Sequence, residues 1–467
     1  MAAPAFGGDV TVATSWHRRG YAPPVSRSHP VGEKESRIVL VAQIFYFVFL
    51  MMVFIGQQPF AMRTQEELVA MAQNNDGSDL FKQTLFIGFA LLLTTVQIAR
   101  KQPLLYHFTY WPLAVMLAWF FVTCSWSVDP FVSFKRAMQQ LIVIYITFCA
   151  LSLMGPERLF QSLRAALVVS LLICWISLPL TPAAVHPPTE SDRALIGAWR
   201  GFFFHKNIAG AVMSMTFIIC GNSWIDTRKW RYALFAVLAF VFVIGTKSKT
   251  SLALCVAMLA ISNVYRLLSG STPKRAILLM VLAFGMVGVL GLYIAYQPVV
   301  ERIFADPTSF TGRVSIWRVV FAYMHDHPYL GAGFGSFWQV GARSPAFDYI
   351  NQHFQLLIAH SHNGYLEIWA TTGPLGLSLL LLSFIAMPAW WFLSGATKEN
   401  QHLMVPAFAI WVFVVYHNLL ETSFFDRDRQ VWVIFLAAIA TAHAGFKAKP
   451  RPSWRRVHLR VAEPAHG

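Results

Sequence analysis

Long apolar runs recur along the whole chain and constrain its fold more than any other feature. A helix needs ~18 or more such residues to cross a bilayer, and several runs approach or exceed that length. Only 13% of the 467 residues are charged, whereas soluble domains carry roughly 25%. The sequence therefore predicts an all-α, polytopic membrane protein of about twelve transmembrane helices. The predicted spans lie near Ile38–Ile55, Thr84–Ala99, Tyr110–Trp126, Met138–Leu153, Ala165–Leu180, Ile208–Gly221, Tyr232–Gly245, Leu252–Leu268, Ile277–Tyr296, Gly364–Leu393, Val405–Leu420 and Val431–Gly445.

The net charge of +15 comes largely from basic residues in two tails and in short loops between the apolar runs. Basic loops mark the cytoplasmic side and attract anionic lipid, so we expect membrane lipid and no nucleic acid as a partner. An even number of spans then places both termini inside. The predicted division is a cytoplasmic tail at 1–36, a membrane domain at 37–446 with a large outer loop at 297–362 between spans nine and ten, and a second cytoplasmic tail at 447–467.

Cations at the predicted outer ends of the spans need an explanation, because positive charge is disfavoured in short outer loops. They include Arg200, Lys206, Lys249 and Arg313. Ionisable groups near a membrane often serve function, and Arg and Lys suit phosphate. The set therefore indicates a site for an anionic substrate. For any single cation, pairing with lipid phosphate or with an outer acid remains open; the candidate acids are Glu301, Asp306 and Asp326.

The outer loop contains one predicted helix, from Thr311 as its cap to a stop at Pro328. Its spacing predicts one apolar stripe, made of Trp317, Val320, Phe321 and Met324. Arg313 lies one turn before Trp317, at the positive end of the helix dipole, where an anion would be favoured. The alternative is an amphipathic helix on the membrane with a solvated Arg313. The following GAGFGSF segment, residues 331–337, has glycines that let backbone approach a ligand.

Four polar residues mark the point where the chain returns to the membrane. His360 and His362 are candidates for proton transfer near neutral pH. Asn363 and Glu367 are one helical turn apart, and Glu367 can orient a histidine or hold a sugar hydroxyl. The alternative is a hydrogen-bonded boundary residue. No metal is expected, because no HExxH motif or third ligand is apparent, and the five cysteines lie in apolar runs where packing is their expected role.

These residues resemble the motifs of a known superfamily. The pair His362-Asn363 followed by Gly373-x-x-Gly376 is similar to the signature of the O-antigen ligase and polymerase superfamily. Gly312-Arg313 with Trp317 resembles its loop element. Segments 127–137, 199–210 and 246–254 resemble the exopolysaccharide polymerase subgroup.

The resemblance implies a GT-C-like glycosyltransferase of the bacterial inner membrane. Its substrate would be an undecaprenyl-diphosphate-linked glycan on the periplasmic face, with no cofactor, and a flippase and a chain-length regulator are its usual partners. The resemblance makes His362 the general base and Arg313 and Lys249 the diphosphate ligands. The further substrate-binding candidates are Arg200, Lys206, Asn207, Trp317, Asn363 and Glu367.

Alternatives remain open at this point. Ligases of the superfamily commonly have Ser-Arg where this chain has Ser248-Lys249, and lysine lacks the bidentate fork. This departure favours a polymerase over an O-antigen ligase that transfers a glycan to lipid A core. A transporter or flippase for an anionic glycolipid would instead place charge near the middle of several spans. A structural membrane protein would leave the outer cations unexplained.

Overall fold

The computed structural model describes residues 33–56, 58–61, 80–100, 110–190, 193, 195–295, 313–338, 340–341, 343–350, 360–426 and 429–448. Within them the chain is helical and contains no strand, only an isolated bridge between Val185 and Trp199. The helices are α1 (Glu33–Ile55), α2 (Leu80–Ala99), α3 (Trp111–Thr123), α4 (Pro130–Leu180), α5 (Lys206–Thr227), α6 (Trp230–Gly245), α7 (Lys249–Leu267), α8 (Thr272–Ala295), α9 (Arg313–Asp326), α10 (Gly364–Leu380), α11 (Met387–Gly395), α12 (Gln401–His417) and α13 (Gln430–Ala448).

The helices agree with an all-α membrane protein. In the described part of the chain, seven helical segments are long and apolar enough to cross a membrane, and α3, α6 and α12 are shorter apolar helices. Each predicted span overlaps one of the helices. The number of about twelve crossings and the orientation of the termini stay predictions.

Element α4 contains the fourth and fifth predicted spans. It consists of two helices that meet at Gly155, whose φ of +77° and ψ of +168° are not helical, and Pro156 follows. Glycine adopts this conformation without strain and proline cannot donate to the preceding turn, so the first helix ends here and the second begins. Asp129 starts α4 by accepting a hydrogen bond from the Val132 amide, ahead of Pro130 at the first helical position.

The centre of the bundle is formed by α5, α12 and α13. In the most apolar windows of α5 and α13, 78% of residues are buried inside the protein, whereas the other long segments bury 22–39%. The outer helices instead expose large apolar side chains such as Phe81, Leu91 and Phe284. Such faces are stable against lipid rather than water. All five cysteines are free and buried, which confirms the expectation that they pack.

Helix α9 lies on α10 and not apart from the bundle. Its buried face consists of Ile316, Val319, Val320, Tyr323 and Met324, packed with Phe337 and Ala370. The predicted stripe was right for Val320 and Met324 and wrong for Phe321, which is 48% exposed. The buried face is rotated because α9 packs against both α10 and the 331–338 segment, a partner that periodicity alone does not identify.

The glycines of the 331–337 segment approach other parts of the chain. A Cβ on Gly333 would overlap Ser127, and one on Gly335 would contact Arg136 at 2.8 Å. Both have positive φ, of +93° and +70°. These two glycines thus have a packing role near the start of α4, and their approach to a ligand stays a prediction.

Several predictions concern residues that the structure does not describe. They are most of the two tails (1–32 and 449–467), residues 297–312 with Glu301, Asp306, Thr311 and Gly312, and residues 351–359. The placement of the tails in the cytoplasm and of the 297–362 loop in the periplasm stays a prediction.

Candidate functional site

The candidate site lies at one end of the helix bundle, which we call the α9 end. The starts of α5, α9 and α10 and the end of α12 meet there. Helix N-termini carry unpaired amides and partial positive charge, so three N-termini at one place favour an anion. The fold thus brings three sequence patterns to the same end of the bundle, namely those at 199–210, 313–327 and 360–367.

One carboxylate, that of Glu421, joins three of these elements. Its Oε1 accepts hydrogen bonds from Arg313 Nη2 at 2.5 Å and from Asn207 Nδ2 at 2.8 Å. Its Oε2 lies 3.4 Å from His362 Nδ1. The Arg313 and Glu421 side chains are both largely buried. The carboxylate is therefore the centre of a charged cluster that contains three of the predicted site residues.

The backbone holds His362 in a specific orientation. Its φ is +50°, a left-handed conformation that side-chain-bearing residues rarely adopt. The His362 amide donates to His360 Nδ1 at 3.3 Å, and the two imidazole rings lie 4.1 Å apart. The His362 side chain keeps 32% of its surface exposed. A substrate can therefore reach this ring.

The residue after His362 starts α10. Asn363 Oδ1 accepts hydrogen bonds from the amides of Tyr365 and Leu366, at 3.0 and 3.1 Å, which makes it the helix N-cap. The side-chain nitrogen of Asn363, Nδ2, donates to the Leu419 carbonyl. The geometry thus gives Asn363 a structural task, while its predicted contact with substrate remains a prediction.

Glu367 faces the loop and not a histidine ring. Its Oε2 accepts hydrogen bonds from the Ser361 amide at 2.9 Å and from Trp338 Nε1 at 3.0 Å. Trp317 Nε1 donates to the Ser361 carbonyl at 2.9 Å. Glu367 and Trp317 therefore hold the backbone immediately before His362, and both indole nitrogens are already used. Their predicted roles in sugar binding remain predictions.

Gly364 allows α10 to start against the end of α12. Its amide donates to the carbonyls of Asn418 and Glu421, and a Cβ at this position would overlap the Asn418 side chain. We expect Gly364→Ala to lower the free energy of unfolding by about 1–3 kcal/mol, the usual cost of overpacking. The thermal midpoint of the detergent-purified protein, followed by tryptophan fluorescence, measures this effect.

Gly270→Ala is the matched control for that substitution. Nothing lies within 4 Å of a Cβ at Gly270. Its thermal midpoint should equal that of the wild type, and an equal midpoint for Gly364→Ala would contradict the close approach of the two helices.

Burial and charge act in opposite directions on the groups around Glu421. Burial alone would raise the pKa of Glu421, but its bond to His362 and the charges of Arg313 and His417 outweigh burial and hold that pKa well below its usual range. Burial lowers the pKa of His360 to about 3 and that of His205 to about 4. At neutral pH the carboxylate is ionised and these two imidazoles are neutral.

The segment before α5 places two predicted cations in partly buried positions. Arg200 donates to the carbonyls of Ala183, Ala61 and Phe204, and its Nη2 is buried without a partner among the described residues. Lys206 is the first residue of α5, and its amide donates to His186 Nε2. Arg200 therefore links three backbone segments through its hydrogen bonds. Of its guanidinium nitrogens, only Nη2 would remain to donate a hydrogen bond to a phosphate.

Lys249 is separate from the Glu421 cluster in the described contacts. It is the exposed first residue of α7 and makes no hydrogen bond or ion pair with the described residues of the cluster. Among all residues that the structure describes, no three His, Cys, Asp or Glu side chains are grouped to hold a metal. The structure thus brings His362, Arg313 and Asn207 together, and the part assigned to Lys249 remains a prediction.

Glu421 is the residue that the sequence reasoning missed. The expected outer acids included Asp326, which instead accepts a hydrogen bond from Tyr349. Glu421 directly follows the predicted eleventh span, Val405–Leu420, in the run HNLLETSFFD. A lone carboxylate at that boundary was the available signal, because ionisable residues next to a span are often functional.

Residues 234–381 match a family model described as O-antigen ligase. No curated protein matches the chain. The match supports the O-antigen ligase and polymerase superfamily and, with the apolar helices, a multi-pass bacterial membrane protein with glycosyl-transfer activity of that type. The family implies a lipid-linked glycan as substrate. The matched segment includes Lys249, Arg313, Trp317, His362, Asn363 and Glu367.

Proposed function

We propose that the protein is a polysaccharide polymerase of the inner membrane. It joins undecaprenyl-diphosphate-linked oligosaccharide repeat units on the periplasmic face. The observation that carries this proposal is the contact of the partly exposed His362 with Glu421 beside Arg313, at one end of the helix bundle. The site combines a reachable imidazole with a buried cation, which are the two groups that transfer from a diphosphate requires.

His362 is the proposed general base. With Nδ1 directed to Glu421, the tautomer that carries the proton on Nδ1 leaves the Nε2 lone pair for an acceptor hydroxyl. His362 Nε2 takes the hydroxyl proton as the acceptor oxygen forms its bond to the anomeric carbon. The proton is later released to water. This single displacement inverts the configuration of the anomeric carbon.

Arg313 is the proposed ligand of the leaving diphosphate. The bond between the anomeric carbon and the diphosphate oxygen breaks, and its electron pair remains on the diphosphate. Arg313 begins α9, so its guanidinium adds to the positive end of the helix dipole. A buried cation stabilises this developing charge better than one in bulk water, because water screens charge more strongly. Lys249, Lys206 and Arg200 Nη2 are further proposed phosphate ligands.

A polymerase is favoured over a ligase by two features of the sequence. Lys249 occupies the position where ligases commonly have arginine, and segments 127–137, 199–210 and 246–254 resemble the polymerase subgroup. The O-antigen ligase description of the matched family supports the alternative, transfer of a glycan to lipid A core or another acceptor. A flippase and a chain-length regulator are the proposed protein partners.

Glycan analysis after deletion of the gene distinguishes these functions. For a polymerase, we expect polymer to disappear and single repeat units to accumulate on undecaprenyl diphosphate at the periplasmic face. Polymer that remains full length but stays lipid-linked would instead identify a ligase. Repeat units retained on the cytoplasmic face would identify a transporter. Separation by gel, with periplasmic access tested by a membrane-impermeant glycosidase, measures all three outcomes.

A further inference from the structure

The two oxygens of the Glu421 carboxylate have different partners. Oε1 accepts from Arg313 and Asn207, whereas Oε2 faces His362. Each proposed reactive side chain is therefore in contact with its own oxygen of the same carboxylate. The distance between the base and the cation is then determined by one rigid planar group.

The backbone of Glu421 is fixed as well as its side chain. Its amide donates to the His417 carbonyl at 2.9 Å, which extends the last turn of α12. Its carbonyl accepts from the Gly364 amide at 3.1 Å, in the first turn of α10. The backbone and the side chain of Glu421 are therefore both held by hydrogen bonds. Such a carboxylate can keep other side chains in place, because it loses no further conformational entropy when substrate binds.

We propose that Glu421 is the positioning residue of the site, orienting the His362 imidazole as a base and holding the Arg313 guanidinium beside it. This inference rests on the proposed function. The Nδ1 contact directs Nε2 away from Glu421, toward the exposed side of the ring. Arg313 Nε is buried and has no partner among the described residues, so the guanidinium keeps a donor that Glu421 does not use.

The groups around His362 make the charge of Glu421 consequential. His360, His205 and Glu421 interact electrostatically with His362. The next basic or titratable groups are Arg313 and His417 beside Glu421, Arg429 beside His360, and Lys206 and His186 beside His205. Removal of the carboxylate charge would leave His362 and Arg313 among these groups without the anion that both side chains contact.

The test uses Glu421→Gln and Glu421→Asp in the full-length protein in membranes. The substrate is the lipid-linked repeat unit that accumulates in deletion cells, and rates are normalised to folded protein by size-exclusion chromatography. We expect Glu421→Gln to lower kcat about 10–100-fold, as loss of an orienting partner does. The loss should persist after normalisation to folded protein. Glu421→Asp keeps the carboxylate, so part of kcat should return.

Glu157→Gln is the matched control. Glu157 also pairs with a histidine, His402, but both side chains are exposed, and His402 lies at the opposite end of α12 from Glu421. This variant should keep the wild-type kcat.

Each outcome separates this inference from the proposed function. A Glu421→Gln variant with wild-type kcat would overturn the positioning role. A purely structural role would reduce the amount of folded protein but leave kcat unchanged per folded molecule. If Glu421→Gln does not fold, a wild-type kcat for Glu421→Asp overturns the inference, because the shortened side chain cannot keep both contacts. Failure of the proposed function is seen separately, as wild-type activity when His362 is replaced.

Discussion

Replacement of His362 by alanine is expected to reduce glycosyl transfer by roughly 10²–10⁴-fold, the usual contribution of a general base. The reason is that His362 Nε2 is then missing, so no positioned group takes the proton of the acceptor hydroxyl. The measurement is the rate of polymer formation in membranes, with substrate at saturation and rates normalised to folded protein. The loss should appear in kcat, because the base acts in the transition state.

A second substitution separates the chemistry from backbone strain. His362 has a φ of +50°, and asparagine adopts this conformation more readily than other residues with side chains. We expect His362→Asn to be as inactive as His362→Ala while retaining the wild-type thermal midpoint. His325→Ala is the control, since His325 is 89% exposed and pairs only with Asp326 among the described residues. Wild-type polymer length and yield from His362→Asn would remove the base assignment.

The second large effect is expected at Arg313. Replacement by alanine should lower kcat by about 10²–10³-fold, the usual loss when one donor to developing charge is removed. It should also weaken binding of undecaprenyl diphosphate in detergent micelles, measured by isothermal titration calorimetry. Arg313→Lys should be intermediate, because lysine restores the charge but not the planar fork.

The control for Arg313 lies on the same helix. Arg318 is exposed on α9, so Arg318→Ala removes equal charge without touching the Glu421 cluster. It should bind undecaprenyl diphosphate as the wild type does. An Arg313→Ala variant that binds as tightly as Arg318→Ala would contradict the diphosphate role, and equal losses for both would indicate a general effect of charge.

The sequence was sufficient where the physical cause is local. Apolar runs give helices because a buried backbone in lipid must satisfy its own hydrogen bonds, and every predicted span overlaps a helix. Asn363 caps α10 through bonds to residues two and three positions ahead, a local contact that the sequence analysis did not predict. The predicted stripe of α9 was only half right, since its buried face depends on the 331–338 segment that packs on it.

The carboxylate at the centre of the site was decided by the tertiary structure alone. Glu421 is separated along the chain from Arg313 by 108 residues, from Asn207 by 214 and from His362 by 59. No local pattern relates residues at such distances. Their meeting depends on how α5, α9, α10 and α12 pack, and packing is a property of many side chains at once.

The long apolar runs by themselves determined that this chain forms membrane helices, because the transfer of each run into lipid depends on its own composition. They also placed His362 and Asn207 beside predicted span ends, and the capping pattern of the outer loop placed Arg313 near the start of a helix. Only the tertiary structure decided that these three share Glu421, that Arg200 binds backbone carbonyls and that Glu367 holds the loop before His362. The physical reason is that a buried charge must find its partner in space, whatever the separation along the chain.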